Sequence, residues 1–166
     1  MRHLSATLAL WAALTACAQA AEPITLGLNY PRTGPYKEEG LAQMRGALLA
    51  IDEINATGGV LGRPLRLSSK DTASRPAKAE KHVDKLAAEG AAMLFGGSSS
   101  AVAIAAGKRA KQHGLLYFGT LTYSNDTTGK DGHRYMFREC NNAWMSAQVL
   151  GQYLNKTLPN KRYFYV

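Results

Sequence analysis

The sequence has little cysteine, few histidines and no familiar catalytic motif. Of its two cysteines, Cys17 lies in an N-terminal segment that processing would remove or lipidate, so Cys140 has no disulfide partner. His82, His113 and His133 lack metal-ligand spacing. No Gly-x-Ser-x-Gly nucleophile elbow and no phosphate-binding Gly-x-x-x-x-Gly-Lys occurs. We therefore expect no enzyme activity, no metal and no cofactor.

The charge is basic, with a formal net charge of +8 at pH 7, but it is not gathered into one patch. Lys78, Lys81 and Lys85 share one helical face, whereas the basic run 108–111 lies on another helix. Aromatic residues for base stacking are not interleaved with them. The pattern predicts solvated helix faces and no nucleic-acid partner.

The N-terminus has the features of an export signal. Arg2 precedes an uncharged apolar run, Leu4–Leu14, that is too short to span a bilayer. Ala18–Ala20 fits a signal peptidase site, which makes residues 1–20 a signal peptide. A second interpretation stays open, because Leu14–Cys17 fits the pattern that precedes a lipid-anchored cysteine. Both interpretations predict export to the periplasm.

Beyond the leader, apolar strands alternate with helices of ten or more residues. Strands are predicted at 24–30, 65–70, 91–95, 115–118, 135–138 and 162–166, and helices at 36–56, 74–89, 100–113 and 142–154. In the first helix, Leu41, Met44, Leu48, Ile51 and Ile54 form one apolar face. This alternation predicts an α/β fold, a Rossmann-like parallel sheet with helices on both faces.

Three loops at the carboxyl ends of predicted strands are rich in Gly, Ser, Thr and Tyr: 31–36, 96–100 and 119–124. In a parallel sheet, ligands bind outside these ends at a switch point in strand order. Gly96 and Gly97 allow close backbone approach. The serines that follow fall where a helix N-cap is favoured, and a helix N-terminus attracts carboxylate or phosphate. The three loops together predict a binding cleft.

The chain resembles the amino-terminal lobe of the type I periplasmic substrate-binding proteins that serve branched-chain amino acid, amide and urea ABC transporters (leucine-binding-protein-like). The residues that carry the resemblance are Thr33-Gly34-Pro35, Gly46-Ala47, Ile51-Asp52-Glu53-Ile54-Asn55, Gly58-Gly59-Val60-Leu61-Gly62, Asp71, Gly96 with Ser100, and Gly114. The resemblance implies two lobes that close over a ligand. We expect residues 21–141 to form the first lobe and 142–166 to begin a second, truncated one.

The resemblance also implies a ligand site. In the family, the serine that aligns with Ser100 and the amides after it hold the ligand carboxylate. A backbone carbonyl that aligns with Leu121 and a threonine hydroxyl that aligns with Tyr123 receive the α-ammonium. The expected ligand-binding residues are Tyr36, Ser99, Ser100, Ala101, Leu121, Thr122 and Tyr123. Two departures stand out: Tyr123 replaces a threonine, and Glu39 occupies the position of a familiar contact.

These features predict a periplasmic solute-binding component of an ABC transporter, which captures a small amino acid, an amide or urea and delivers it to a permease. The alternative is a ligand-sensing receptor domain of the same fold that feeds a signalling partner.

Overall fold

A computed structural model of the protein describes residues 21–164, so the predicted leader lies outside the described residues. Five strands and four α-helices follow one another in this range: β1 (Ile24–Tyr30), α1 (Lys37–Ala56), β2 (Leu65–Asp71), α2 (Pro76–Ala88), β3 (Met93–Gly96), α3 (Ser100–Gln112), β4 (Tyr117–Gly119), β5 (Met136–Arg138) and α4 (Ala143–Thr157). A short 3-10 helix, Asn125–Thr127, separates β4 from β5. The predicted α/β class is confirmed.

The strands form one parallel sheet in the order β2-β1-β3-β4-β5. The chain steps from β1 outward to β2, returns to β3 on the other side of β1, and then continues to β4 and β5. The direction of winding therefore reverses between β1 and β3. This reversal places the switch point, and the expected ligand crevice, at the carboxyl ends of these two strands.

One face of the sheet is covered by α2 and α3, which pack against each other. Between these helices and the strands lies the main core, which includes Val83, Leu86, Leu94, Val102 and Tyr117, all nearly or fully buried. Polar contacts reinforce it, since the side-chain amide of Asn29 donates to the carbonyl of Ala79 at 3.0 Å. Right-handed crossovers put α1 on the opposite face.

That opposite face is only partly covered, because α1 contacts β1 and β2. The strand register aligns Leu28, Phe95, Phe118 and Phe137 in one row across the sheet. Leu28 is buried, whereas Phe137, stacked on Phe118 with ring centroids 5.1 Å apart, is 44% exposed. Coverage of the row thus decreases from β1 towards β5.

The predicted apolar face of α1 needs correction, because only part of this face packs against the sheet. Only Ile51 of the five predicted positions is fully buried, Leu41 and Met44 are half-buried, and Leu48 and Ile54 are exposed. Their periodicity is helical, as predicted, but only part of the stripe faces the sheet.

Two further predictions need correction. The predicted strand at 162–166 is not formed at Arg162–Phe164, which are irregular and exposed with no strand beside them; the last two residues lie outside the described range. The second helix begins with Arg75 as N-cap and Pro76 at the first position, not with Ser74 as cap. Ser74 adopts φ +57° instead. Between 21 and 164, no helix is both long and apolar enough for a membrane span.

Candidate functional site

A cavity of about 250 Å³ opens at the carboxyl ends of β1, β3 and β4. Residues from the three predicted loops and from the start of α1 line it: Tyr36, Glu39, Ser98, Ser99, Ser100, Leu121 and Tyr123. Five of the seven predicted ligand residues are thereby brought together. The other two, Ala101 and Thr122, do not line the cavity.

The turn between β3 and α3 requires its two glycines. Gly96 has φ +129° and Gly97 φ +81°, values that side chains with a Cβ rarely adopt. A Cβ on Gly96 would overlap the carbonyl oxygen of Asn29, and one on Gly97 would lie 2.8 Å from the Cβ of Ala103. The turn therefore brings the serine run close against β1, at the N-terminus of α3.

Hydrogen bonds fix the oxygens of two cavity serines and leave their protons available. The Ser98 hydroxyl oxygen accepts from the side-chain amide of Gln43 at 2.9 Å, and the Ser100 oxygen accepts from the backbone N–H of Ser124 at 3.0 Å. Each hydroxyl can still donate into the cavity. A serine does occupy the N-cap position of α3, as expected, but the Ser99 side chain makes no capping hydrogen bond.

The first-turn amides of α3 add donors to the same wall. An α-helix leaves its first amides without intrahelical partners, and its dipole makes that end partly positive. Ala101 is exposed and is the second residue of α3, so its contribution would come through the backbone N–H. Together with Ser98 and Ser100, this wall suits a carboxylate or another acceptor.

The loop after β1, which carries Tyr36, is held by Asp71 at the end of β2. One Asp71 oxygen accepts from the N–H groups of Arg32, Thr33 and Ala73, and the other accepts from the Thr33 hydroxyl at 2.8 Å. Burial alone would raise the pKa of Asp71, but these hydrogen bonds outweigh it and lower the pKa from 3.8 to about 2. Asp71 is therefore ionised at neutral pH and clamps the loop.

The loop after β4 contains a non-glycine residue in the left-handed region, Leu121, at φ +54°. Thr122 turns inward and is fully buried; its backbone N–H donates to the Sγ of Cys140 at 3.1 Å. Tyr123 projects outward and is 50% exposed. The inward turn of Thr122 explains why it does not line the cavity beside its neighbours.

This loop is fastened to the chain segment that leads into α4. The Arg138 guanidinium donates to the carbonyl of Ser124 at 2.9 Å, and the backbone N–H of Ala143 donates to the carbonyl of Tyr123 at 2.8 Å. The N–H of Trp144 donates to the side-chain oxygen of Asn125 at 3.2 Å. A change in the cavity loop would therefore reach the start of α4 directly.

Three residues at the site were not among the expected ligand contacts. Ser98 belongs to the same serine run, and Glu39 follows Tyr36 by three residues, so helical spacing alone places it on the same side. Gln43 reaches Ser98 across 55 positions of sequence, and no local pattern indicates that contact. No cluster of three or more His, Cys, Asp or Glu suited to a metal occurs in the described part of the chain.

Comparison with known proteins agrees with this geometry. A family model described as "Periplasmic binding protein" matches residues 23–166. The Leu/Ile/Val-binding protein BraC3 of Rhizobium johnstonii is 32% identical over 162 residues, which cover 98% of this chain and 43% of that protein. The chain belongs to the periplasmic binding protein family.

Solved structures show the same fold. LivJ of Streptococcus pneumoniae, crystallised with isoleucine, superposes with a TM-score of 0.73 at 27% identity, covering 82% of this chain and 39% of LivJ. An amino acid ABC transporter substrate-binding protein of Pseudomonas fluorescens gives a TM-score of 0.77 at 27% identity, covering 85% and 37%. The chain thus spans about two-fifths of the length of these relatives. Both of these solved structures are substrate-binding proteins of amino acid transporters.

Proposed function

We propose that this chain forms the first lobe of a periplasmic solute-binding protein that captures a small amino acid or amide-type ligand for an ABC transporter permease. The observation that carries the proposal is the cavity at the switch point, where Ser98 and Ser100 present free hydroxyl protons beside the N-terminus of α3. Such a wall binds the carboxylate of an amino acid.

The amino end of the ligand lies against the loop after β4 in this proposal. Leu121 supplies its backbone carbonyl and Tyr123 its hydroxyl, while Tyr36 packs against the ligand from the opposite loop. Thr122 contributes through the position of its backbone, because its side chain is buried. No histidine lines the cavity among the described residues, and the proposal assigns no catalysis.

The lobe boundary is part of the same proposal: residues 21–141 form the lobe and α4 begins the next one. Met145, Val149, Leu150 and Tyr153 make an exposed apolar strip on α4, beside a groove of about 430 Å³. This strip would be covered by the second lobe, which the greater length of the relatives supplies. We further propose export to the periplasm, with residues 1–20 as leader or with a lipid anchor at Cys17.

The alternative role as a sensory receptor domain is not favoured, because the relatives compared are transporter binding proteins. No observation in the cavity distinguishes this chain as a sensor.

The test is an NMR titration of the protein, purified from the periplasm, with amino acids, amides and urea. Chemical-shift changes should concentrate at the amides of Ser100 and Ala101. Ser100→Ala should weaken binding about tenfold to a hundredfold, since a hydrogen bond to a charged group contributes roughly 1.5–3 kcal/mol. Ser68→Ala is the matched control, because Ser68 donates to Glu89 and does not line the cavity. Equal affinities for both variants would refute the assignment of the carboxylate to Ser100.

A further inference from the structure

Glu39 is the one charged residue among those that line the cavity. It lies in the first turn of α1 and is exposed. Within residues 21–164 it takes part in none of the ion pairs or side-chain hydrogen bonds. Its neighbour Glu38 has the same charge in the same helical turn but does not line the cavity. A carboxylate in this position is available to a ligand.

The wall formed by the N-terminus of α3 favours ligand groups that accept hydrogen bonds, anions included. Ser98, only 7% exposed, and Ser100 both have oxygens that already accept protein hydrogen bonds, so each hydroxyl can donate its proton to a ligand. The cavity therefore has a donor-rich wall and, apart from it, a single negative charge. A ligand that fits both carries an anionic group and a cationic group at separate places.

In the part of the lining that this lobe supplies, Leu121 is the one aliphatic residue, beside two tyrosines. A branched-chain side chain gains its binding energy from burial against apolar surface. Here it would instead place Glu39 near an apolar group and remove water from the carboxylate without a compensating hydrogen bond. The residues that this lobe contributes therefore suit a cationic side chain better than an aliphatic one.

We propose that Glu39 is a specificity-determining residue that pairs with a positively charged side chain of the ligand, so that the site takes a basic amino acid. This inference rests on the proposed function, in which the α-carboxylate is held at Ser100 and the α-ammonium at Leu121. Glu39 then pairs with a second cationic group. Selection against aliphatic ligands follows from the unpaired carboxylate that they would leave.

The experiment is an NMR titration of the periplasmic protein with arginine, with its uncharged isostere citrulline, and with leucine. The wild type should bind arginine about two- to fivefold more tightly than citrulline, the range expected for an exposed ion pair. Glu39→Gln should abolish this preference. Glu38→Gln removes an equal charge from the same helical turn and should retain the preference for arginine. Thermal denaturation of both variants verifies the fold.

The outcomes separate the two proposals. Tighter binding of leucine than of arginine by the wild type, or an arginine-to-citrulline ratio unchanged by Glu39→Gln, overturns the role of Glu39 while the binding function stands. Failure of all three ligands, and of the amides and urea, to shift the Ser100 and Ala101 signals overturns the proposed function and the inference with it. Loss of the arginine preference in Glu39→Gln alone supports both.

Discussion

Removing the charge of Asp71 should loosen the loop that carries Tyr36 while leaving the rest of the lobe folded. Asp71 accepts from the backbone N–H groups of Arg32 and Thr33, at 2.9 and 3.2 Å, and from that of Ala73 at 2.9 Å. Asp71→Asn keeps the shape of the side chain but replaces a charged acceptor by a neutral one. Hydrogen bonds to charged groups are the stronger ones, so each of these contacts weakens.

The pKa of Asp71 sets the size of the effect. A decrease from 3.8 to about 2 corresponds to at most about 2.5 kcal/mol, and solvent screening near the surface reduces the contribution to about 1 kcal/mol. For a chain of this length, such a loss lowers the midpoint of thermal unfolding by about 3–5 °C. Because the folded-state pKa is lowered, the contribution is complete above pH 3.8 and is lost as the pH falls through about 2. The difference between wild type and Asp71→Asn should therefore shrink in acid.

Hydrogen exchange at neutral pH locates the effect. The amides of Arg32 and Thr33 should exchange faster in Asp71→Asn, because they lose their charged acceptor. Asp84→Asn is the matched control: hydrogen bonds from Arg109 and His113 lower the pKa of Asp84 to about 2 as well, but that carboxylate joins α2 to α3 and does not contact the loop. Unchanged exchange at 32 and 33, or equal acceleration in both variants, would refute the clamp.

Two further predictions concern the backbone and the leader. Gly96→Ala should destabilise the fold by about 1–3 kcal/mol from backbone strain alone, and the overlap with Asn29 adds to this cost. Gly46→Ala should instead stabilise α1 by about 0.5–1 kcal/mol, because a Cβ there meets nothing within 4 Å. Similar urea midpoints for the two variants would contradict this prediction. Mass spectrometry of the periplasmic protein should show a chain that begins at Ala21 or a lipid mass on Cys17, and a retained Met1 would show that the leader is misassigned.

Much of the fold could be predicted because the relevant signals are local. Five of the six predicted strands lie within two residues of the predicted bounds, and Pro76 marked the first turn of α2 as expected. The carboxyl ends of parallel strands share one edge of a sheet, so the three loops of the cavity could be grouped without knowledge of any contact. The error at Arg162–Phe164 has the opposite cause, since a strand forms only beside a partner, and local β-propensity cannot provide one.

The orientation of individual side chains in the cavity was less predictable. Thr122 and Tyr123 are adjacent, and both carry hydroxyls, but the positive φ of Leu121 sends the first into the core and the second outward. Ser100 was expected as a ligand contact, whereas its bond from Ser124 depends on a loop 24 residues away. Such pairings follow from tertiary geometry and leave no periodic pattern in the sequence.

The hydrogen bonds that join the loop after β4 to the start of α4 include one from the backbone N–H of an intrinsic fluorophore, Trp144. Trp144 is the single tryptophan among residues 21–164, is 60% exposed, and has its backbone N–H on the side chain of Asn125. Its indole is therefore attached one residue beyond the Ala143–Tyr123 bond, and we expect displacement of the loop after β4 to change the solvent contact of the ring. The emission maximum and quenching of this fluorophore would then report the position of that loop without an added label.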